Sequence, residues 1–535
     1  MPIINQPQLS NKSNLVPVCP LRIEGKGRVV LSVSNETIVC GLFVSEGYSN
    51  EEKHIKSQNV YTINFYSVNN KLERSINVEK GYTLFVVSSN CERKIEWIST
   101  VKCDIDDYNN DTIKLCSMNN KHTVSLRCCS CELYEINDSR EISRIVLIEY
   151  SFSGCVNNIA HIECSSIIEL KSMFMDIFDN IYLVGNYSGN MYINDRIVEK
   201  EQAVGICGYV VKINPSFHVV WCNVIATSPS FSAQIDIHCA NINCNQMLAL
   251  TGISKTSPII VRTKDSNIEL NIDTIQNQFI ITFNTDGKNI FAKQTDLVNA
   301  FNTSSLSMND DSIFVSIIND QTMNINKYDL VGNIVSFVTI KGVNNDNILS
   351  DIFHDKLVVG GECSQTMIEF GSVTGTRSRL GSSKSSRIFL ALYNSDLELI
   401  SVVKQSTDKY CHLGSISIGR NITVTTVSHD LDLYSSSGEK TVSINSLTDA
   451  SITSTYIRVA STYTLNDPIT DCHEELIELG NHGDAMSAIE TSTPKIIVGH
   501  NYCVKKIYIG GYGAWVRLLW SKNRWNVLSS QGMIC

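Results

Sequence analysis

Residues Asn180–Ala226, NIYLVGNYSGNMYINDRIVEKEQAVGICGYVVKINPSFHVVWCNVIA, decide the fold. They read as a strand, a glycine-containing turn, a second strand and a second turn. The strand GYVVKI, a polar turn over Asn214–His218 and a last strand VVWCNVIA complete the unit. The runs are short, rich in β-branched and aromatic residues and punctuated by Gly, Asn and Pro, which favours strands over helices. Four short strands per unit is the period of a β-propeller blade, so the stretch predicts an all-β chain.

Working outward, the apolar strand–polar turn–apolar strand element recurs at Val60–Val78, Leu133–Ile148, Tyr209–Val224, Phe279–Lys293, Met323–Val338 and Phe389–Lys404. Its turn residues are Asn69, Asn137, Asn214, Asn284, Asp329 and Asn394, side chains that bond their own backbone in a tight reversal. Each copy follows another strand-like run: Glu36–Ser45, Tyr82–Ser88, Asn180–Tyr187, Met247–Ser254, Asp311–Ile318 and Lys356–Glu362. Gly185, Gly252 and Gly360–Gly361 sit in three of those runs, where glycine suits a bulge or close strand packing at the inner end of a blade. Ser415–Val427 with Lys440–Ile444 and Ser454–Thr462 supplies one more set.

The expectation is therefore a β-propeller of six or seven four-stranded blades, seven favoured, over residues 28–466. An N-terminal extension (1–27) precedes it and a small β-rich C-terminal module (467–535) follows. The copies lie farther apart than the ~40–50 residues of compact propeller repeats, so loops are expected near Cys155–Met175, Lys255–Asn277 and Ser364–Ser386. Cys472–Leu479 is the best short helix candidate.

IYLVGNYSGNMYIND and GYVVKINPSFHVVW together resemble the seven-bladed beta-propeller (SBBP) repeat family, through Gly185, Tyr187, Ser188, Gly189, Lys212, Asn214 and Trp221. Gly287 and Gly332 keep that family's hairpin glycine, whereas Phe217 replaces it. The resemblance implies a propeller, commonly in surface proteins, with no fixed enzymatic activity.

Composition sets limits. The 535 residues are 43% hydrophobic and 18% charged, enough for a core and too apolar for global disorder. A net charge of −10 with scattered Lys and Arg argues against a nucleic-acid groove. No apolar run approaches the ~18–20 residues of a membrane-spanning helix, so no membrane span is expected. MPIINQPQLSNKSNL has no basic and apolar leader, so no signal peptide is read. The 19 cysteines, odd in number and irregular in spacing, read as buried, reduced small apolar residues. Sequons at Asn11, Asn35, Asn110, Asn137, Asn186, Asn302 and Asn421 carry little weight without a leader.

The tail differs from the repeats. Ile507–Ser530 predicts two strands around a Ser-Lys-Asn turn, with Trp515, Trp520 and Trp525 stabilising the hairpin. This ending resembles the closing modules of virus fibre and particle-surface proteins. Together with heavy Asn, Ile and Ser usage, it points to a large DNA virus of protists, although the composition alone equally fits an AT-rich cellular host.

Candidate chemistry is thin. Cys128-Cys129-Ser130-Cys131 with His122 is half of a zinc site, and the second pair is missing. His238-Cys239 with Cys244, and His161 with Cys164, are similar. Asp104, Asp106, Asp107 and Asp111 form an acidic loop without the glycine and terminal Glu of a calcium loop. Gly510-Gly511-Tyr512-Gly513 precedes a strand and is no dinucleotide turn. Asn481-His482-Gly483-Asp484 reads as a turn. No nucleophile elbow, phosphate loop or HExxH occurs.

The sequence thus predicts no catalytic, cofactor-binding or metal residues. It predicts a scaffold or recognition protein of a virus particle, whose partners are virion components or host surface molecules, with glycans as further candidates. The alternatives are an enzyme acting on glycans or small molecules from a central pocket, and an adaptor in the host cytoplasm.

Overall fold

The computed structural model describes forty-seven strands between Asn11 and Ile534 with many of the turns joining them, and side chains between Ile38 and Ser417 within those elements. Seven blades account for most of them, numbered here in chain order, each with four antiparallel strands counted from the inside. Blade 1 is Arg28–Ser34, Ile38–Val44, Tyr82–Ser89 and Ile95–Asp104. Blade 2 is Ile113–Met118, Lys121–Arg127, Ser143–Tyr150 and Val156–Cys164. Blade 3 is Ile167–Met175, Ile181–Ser188, Gly205–Ile213 and Val219–Thr227. Blade 4 is Ala233–Ile242, Leu248–Ser254, Asn277–Phe283 and Asn289–Val298. Blade 5 is Ser304–Met308, Ser312–Asn319, Thr322–Asp329 and Ile334–Lys341. Blade 6 is Ile348–Phe353, Lys356–Cys363, Ser386–Asn394 and Leu399–Thr407.

Blade 7 takes Cys411–Ile418, Asn421–Ser428 and Ser451–Thr464 from the C-terminal side and its fourth strand, Asn11–Gly25, from the other end of the chain. Residues 11–25, set apart by the sequence as an extension, are therefore part of the ring and close it. Each inner strand touches the next, and Cys411–Ile418 returns to Arg28–Ser34, so the circle is complete at seven. Closure buries blade faces that would be unstable alone.

A second regularity was not visible in the sequence. The connection between the second and third strands of a blade reaches back and pairs antiparallel with the outer strand of the preceding blade. Val60–Tyr66 with Leu72–Glu79 extends blade 7, and Ser130–Cys131 extends blade 1. Met191–Ile193 with Arg196–Glu199 extends blade 2, and Ile259–Arg262 with Asn267–Leu270 extends blade 3. Met367–Gly371 with Arg377–Gly381, and Asp430–Tyr434 with Lys440–Asn445, extend blades 5 and 6.

This corrects several expectations. Val60–Val78 is an outer hairpin, not the third and fourth strands of a blade. Within Leu133–Ile148 only Ser143 onward is a described strand, and its hairpin turns at Ser151–Cys155. The expected loops in 255–277 and 364–386 contain outer hairpins, and Cys155–Met175 holds two blade strands. His473–Glu478 is a strand paired with Trp515–Ser521, not a helix. Beyond Thr464 the described chain is β-rich, with a five-stranded sheet and three short strands added beside Ser451–Thr464.

The blades are locked together by one repeated contact. At Ser151–Cys155, Asn214–His218, Asn284–Lys288, Asp329–Asn333 and Asn394–Glu398 the first residue's side chain accepts the backbone N–H four residues on. The fourth residue of each turn has positive φ: Gly154, Phe217, Gly287, Gly332 and Leu397. The turn then seats on the outer strand of the preceding blade. The Trp97 indole N–H donates to Phe152 O at 2.8 Å, and that of Trp221 to Thr285 O at 2.9 Å. A Cβ on Gly154 or Gly287 would stand 2.6 or 2.7 Å from those indoles, so an aromatic below demands glycine above. Beside Trp221, the buried Asp176 accepts from Phe178 N, Asn180 N and the Tyr182 hydroxyl. Lys212 Nζ lies 3.6 Å from Asp176 and donates to Thr285 O at 3.2 Å. Burial first, then the Asp176 charge, raises the Tyr182 pKa and keeps it a donor.

Candidate functional site

Among the described residues, polar side chains cluster on the inner strands of blades 3 and 4, and a groove opens on the outer rim between blades 2 and 3. The cluster is built by bulges. The inner strand of blade 3 carries an extra residue between Leu170 and Ser172, and that of blade 4 one between Ile237 and Cys239. The extra residues are Lys171 and His238. Opposite each bulge is a glycine, Gly185 against Leu170 and Gly252 against Ile237. A Cβ on either would collide with backbone carbonyl oxygen, of Glu169 and Asp236 respectively. The glycines therefore permit the bulges, and the bulges set the side chains.

The result is a paired cluster on adjacent inner strands. Lys171 Nζ is 3.1 Å from Glu169 Oε2, and His238 Nε2 is 3.8 Å from Asp236 Oδ2. Asn186 ties the blades together, donating to Asp236 Oδ1 at 2.8 Å and accepting from Ile237 N at 2.9 Å. Ser172 Oγ accepts from Ala240 N. Burial depresses the His238 pKa, Asp236 opposes this, and the Lys171 charge adds to it. Two carboxylates, an ammonium and an imidazole can together hold a polar ligand. On the inner strands of blades 5 and 6 the buried Ser305 and Ser307 bond Ser350, with Ser305 Oγ and Ser350 Oγ 2.9 Å apart.

The rim groove has a volume of about 570 Å³. Ile193, Arg196 and Ile197 of the outer hairpin form one wall, and Phe217, Val219, Trp221 and Cys222 of blade 3 the other. Asn194 and His218 stand at its polar margin. This size lies within the range of ligand pockets, and a lining that mixes Phe217 and Trp221 with Asn194, Arg196 and His218 suits an amphipathic side chain of a bound protein.

The sequence candidates are dispersed. Cys128 and Cys131 are buried beside Cys103, while His122 stands at the other end of its strand, Lys121–Arg127, some 20 Å away by strand rise. His161 and Cys164 lie on opposite faces of their strand. His161 is 4.0 Å from Glu163, which pairs with Arg144. Cys239 follows the His238 bulge, and Cys244 lies outside the described residues, as do Asp106, Asp107, Asp111, Asn481–Asp484 and Gly510–Gly513. Trp520 and Trp525 are register partners in the terminal hairpin. Among the described residues no group of three His, Cys, Asp or Glu is placed to hold a metal ion. Cys40, Cys103, Cys116, Cys128, Cys131, Cys164 and Cys207 are buried. Asn186 is buried and doubly hydrogen-bonded, which excludes it as a glycan acceptor. Sequence reasoning missed the inner cluster. Its signal was an acidic residue two before Lys171 or His238, followed by glycine fifteen residues after Leu170 or Ile237.

His122 has a pH consequence instead of a metal. It is 6% exposed, its Nδ1 has no hydrogen-bond partner, and its ring lies 6.3 Å from that of Trp97. Burial lowers its pKa from 6.5 to about 4. As pH falls through 6.5 the unfolded chain takes up this proton first, so stability present above that value is lost on the way down to pH 4. After discounting for partial solvation, the loss is about 2 kcal/mol. Thermal denaturation at pH 7 and pH 4.5 checks this, because His122→Leu should flatten the difference.

No protein-family model matches the chain, and no curated protein matches it. Solved structures similar to it include the Dos1 propeller, 9% identical with a TM-score of 0.37, covering 81% of this chain and 97% of that one. Others are BBS1N in complex with ARL6DN (11%, 0.29, 66% and 93%) and a Bacillus licheniformis rhamnogalacturonan lyase (9%, 0.27, 78% and 75%).

Proposed function

We propose that this protein is a non-catalytic recognition scaffold that binds other proteins through its rim, as a structural or surface component of a virus particle. The observation that carries the binding role is the groove between blades 2 and 3, where apolar and polar side chains line a cleft open to solvent. The particle assignment rests on the composition, the SBBP-like repeat and the fibre-like ending. Val219→Asp with Ile197→Asp should abolish retention of the partner from infected-cell extract while leaving the melting temperature unchanged. Retention equal to wild type would overturn the groove as the binding surface. Mass spectrometry of purified particles tests the location, and recovery only from host cytoplasm would favour an adaptor.

A second reading has its own support. Glu169, Lys171, Asp236 and His238 would suit a polar small molecule or glycan at the ring axis. Calorimetric titration with an oligosaccharide panel, repeated on Asp236→Ala, separates the two readings.

A further inference from the structure

Among the described residues, blade 4 is the one blade whose outer strand receives no strand from the next. The reason is chain length: Asn319 pairs directly with Thr322, so the connection in blade 5 that should reach back is a two-residue turn. Among the described residues, no strand pairs with the outer side of Asn289–Val298.

The missing hairpin uncovers an apolar surface on blade 5. By register, Phe337 occupies the position of Cys222 in blade 3, Ala292 in blade 4 and Val402 in blade 6. Those three positions face a hairpin donated to the preceding blade. Ala292 packs against the core cluster that holds Ile259 and Val261, and Val402 shares one with Ile368 and Phe370. Val402 is 5% exposed, but Phe337 is 62% exposed. Ile334 and Val335 beside it, Val331 in the preceding turn and Ile290 on blade 4 are exposed as well. They form one patch, because the blade 5 turn seats on blade 4: a Cβ on Gly332 would stand 2.7 Å from Phe291 and 3.0 Å from Lys293.

We infer that a second copy of this chain covers the patch, forming a two-fold dimer in which Asn289–Val298 of each copy lies antiparallel beside its mate. Every strand that pairs with the outer strand of a blade here runs antiparallel to it. A two-fold axis perpendicular to the sheet sets a strand antiparallel to its own copy, the same relation. The arrangement joins the two blades into one sheet, protects an edge that soluble proteins do not leave bare, and lays each Phe337 against the other copy. The five side chains expose on the order of 500 Å² of apolar surface, more than half of the ~800 Å² each partner gives to a standard interface.

Sedimentation velocity of the full chain at micromolar concentration should show a dimer. Phe337→Glu with Val335→Lys should raise its dissociation constant about a hundredfold and leave the melting temperature unchanged. Phe178→Glu, at a residue 65% exposed on a blade 3 turn, should leave the dimer intact. A wild-type monomer, or a dimer that survives Phe337→Glu, overturns the proposal. A wild-type monomer that instead binds a synthetic hairpin of residues 189–200 overturns it in favour of a hairpin supplied by a different protein.

Discussion

Gly185→Val should lower stability by about 4 kcal/mol or more, enough to leave little soluble protein. Gly185 has no positive φ to preserve, so the effect is steric. Its Cβ would occupy the space of the Glu169 carbonyl oxygen, which also accepts the hydroxyl of the fully buried Tyr209 at 3.1 Å. Relief requires pulling the inner strand of blade 3 away from its neighbour, which breaks the bulge and the Asn186 bridge to blade 4. Gly81→Ala is the matched control. Gly81 has a φ of 121° and nothing within 4 Å of its Cβ position, so backbone strain acts alone there, at about 1 kcal/mol. Urea denaturation of both variants checks the contrast. A Gly185→Val midpoint equal to that of Gly81→Ala would show that the inner strand can move freely, and the bulge would not be fixed by this glycine.

Gly185 also shows what the sequence made legible. Glycine in an apolar, β-branched run signals a bulge or a close approach, and at Gly185 and Gly252 the structure has both. The turns at Asn214, Asn284, Asp329 and Asn394 were legible because the Asn or Asp side chain closes them locally. What stayed hidden is non-local. That Val60–Val78 belongs to blade 7 depends on a strand at the N-terminus pairing with Ser451–Thr464, and nothing within Val60–Val78 encodes it. HEELIE has the spacing of a helix, yet its backbone groups pair with Trp515–Ser521, so tertiary pairing overrides local preference. The inner cluster was invisible because Glu169 and Asp236 become neighbours only once the blades stack.

Phe217, which departs from the glycine of the repeat, carries the second large effect. The residue beneath each turn is an outer-strand position fixed by register: Trp97, Asn158, Trp221, Phe291 and Ser336 in blades 1 to 5. Above them in the next blade stand Gly154, Phe217, Gly287, Gly332 and Leu397. An aromatic below always meets glycine above, and Asn or Ser below meets Phe or Leu above. Phe217 fills the core between blades 2 and 3, as Leu397 fills that between blades 5 and 6. Phe217→Gly alone should cost about 2–3 kcal/mol, the loss of a buried ring less the relief of a residue held at a φ of 58°. Asn158→Trp alone should also destabilise, by forcing an indole against Phe217. Made together, the two rebuild the pairing of Trp221 with Gly287, and the double variant should recover at least half of the summed loss. A thermodynamic cycle from urea denaturation reads the coupling directly. Strict additivity would mean that the two positions do not meet, and the alternation of large and small residues between blades would then be coincidence.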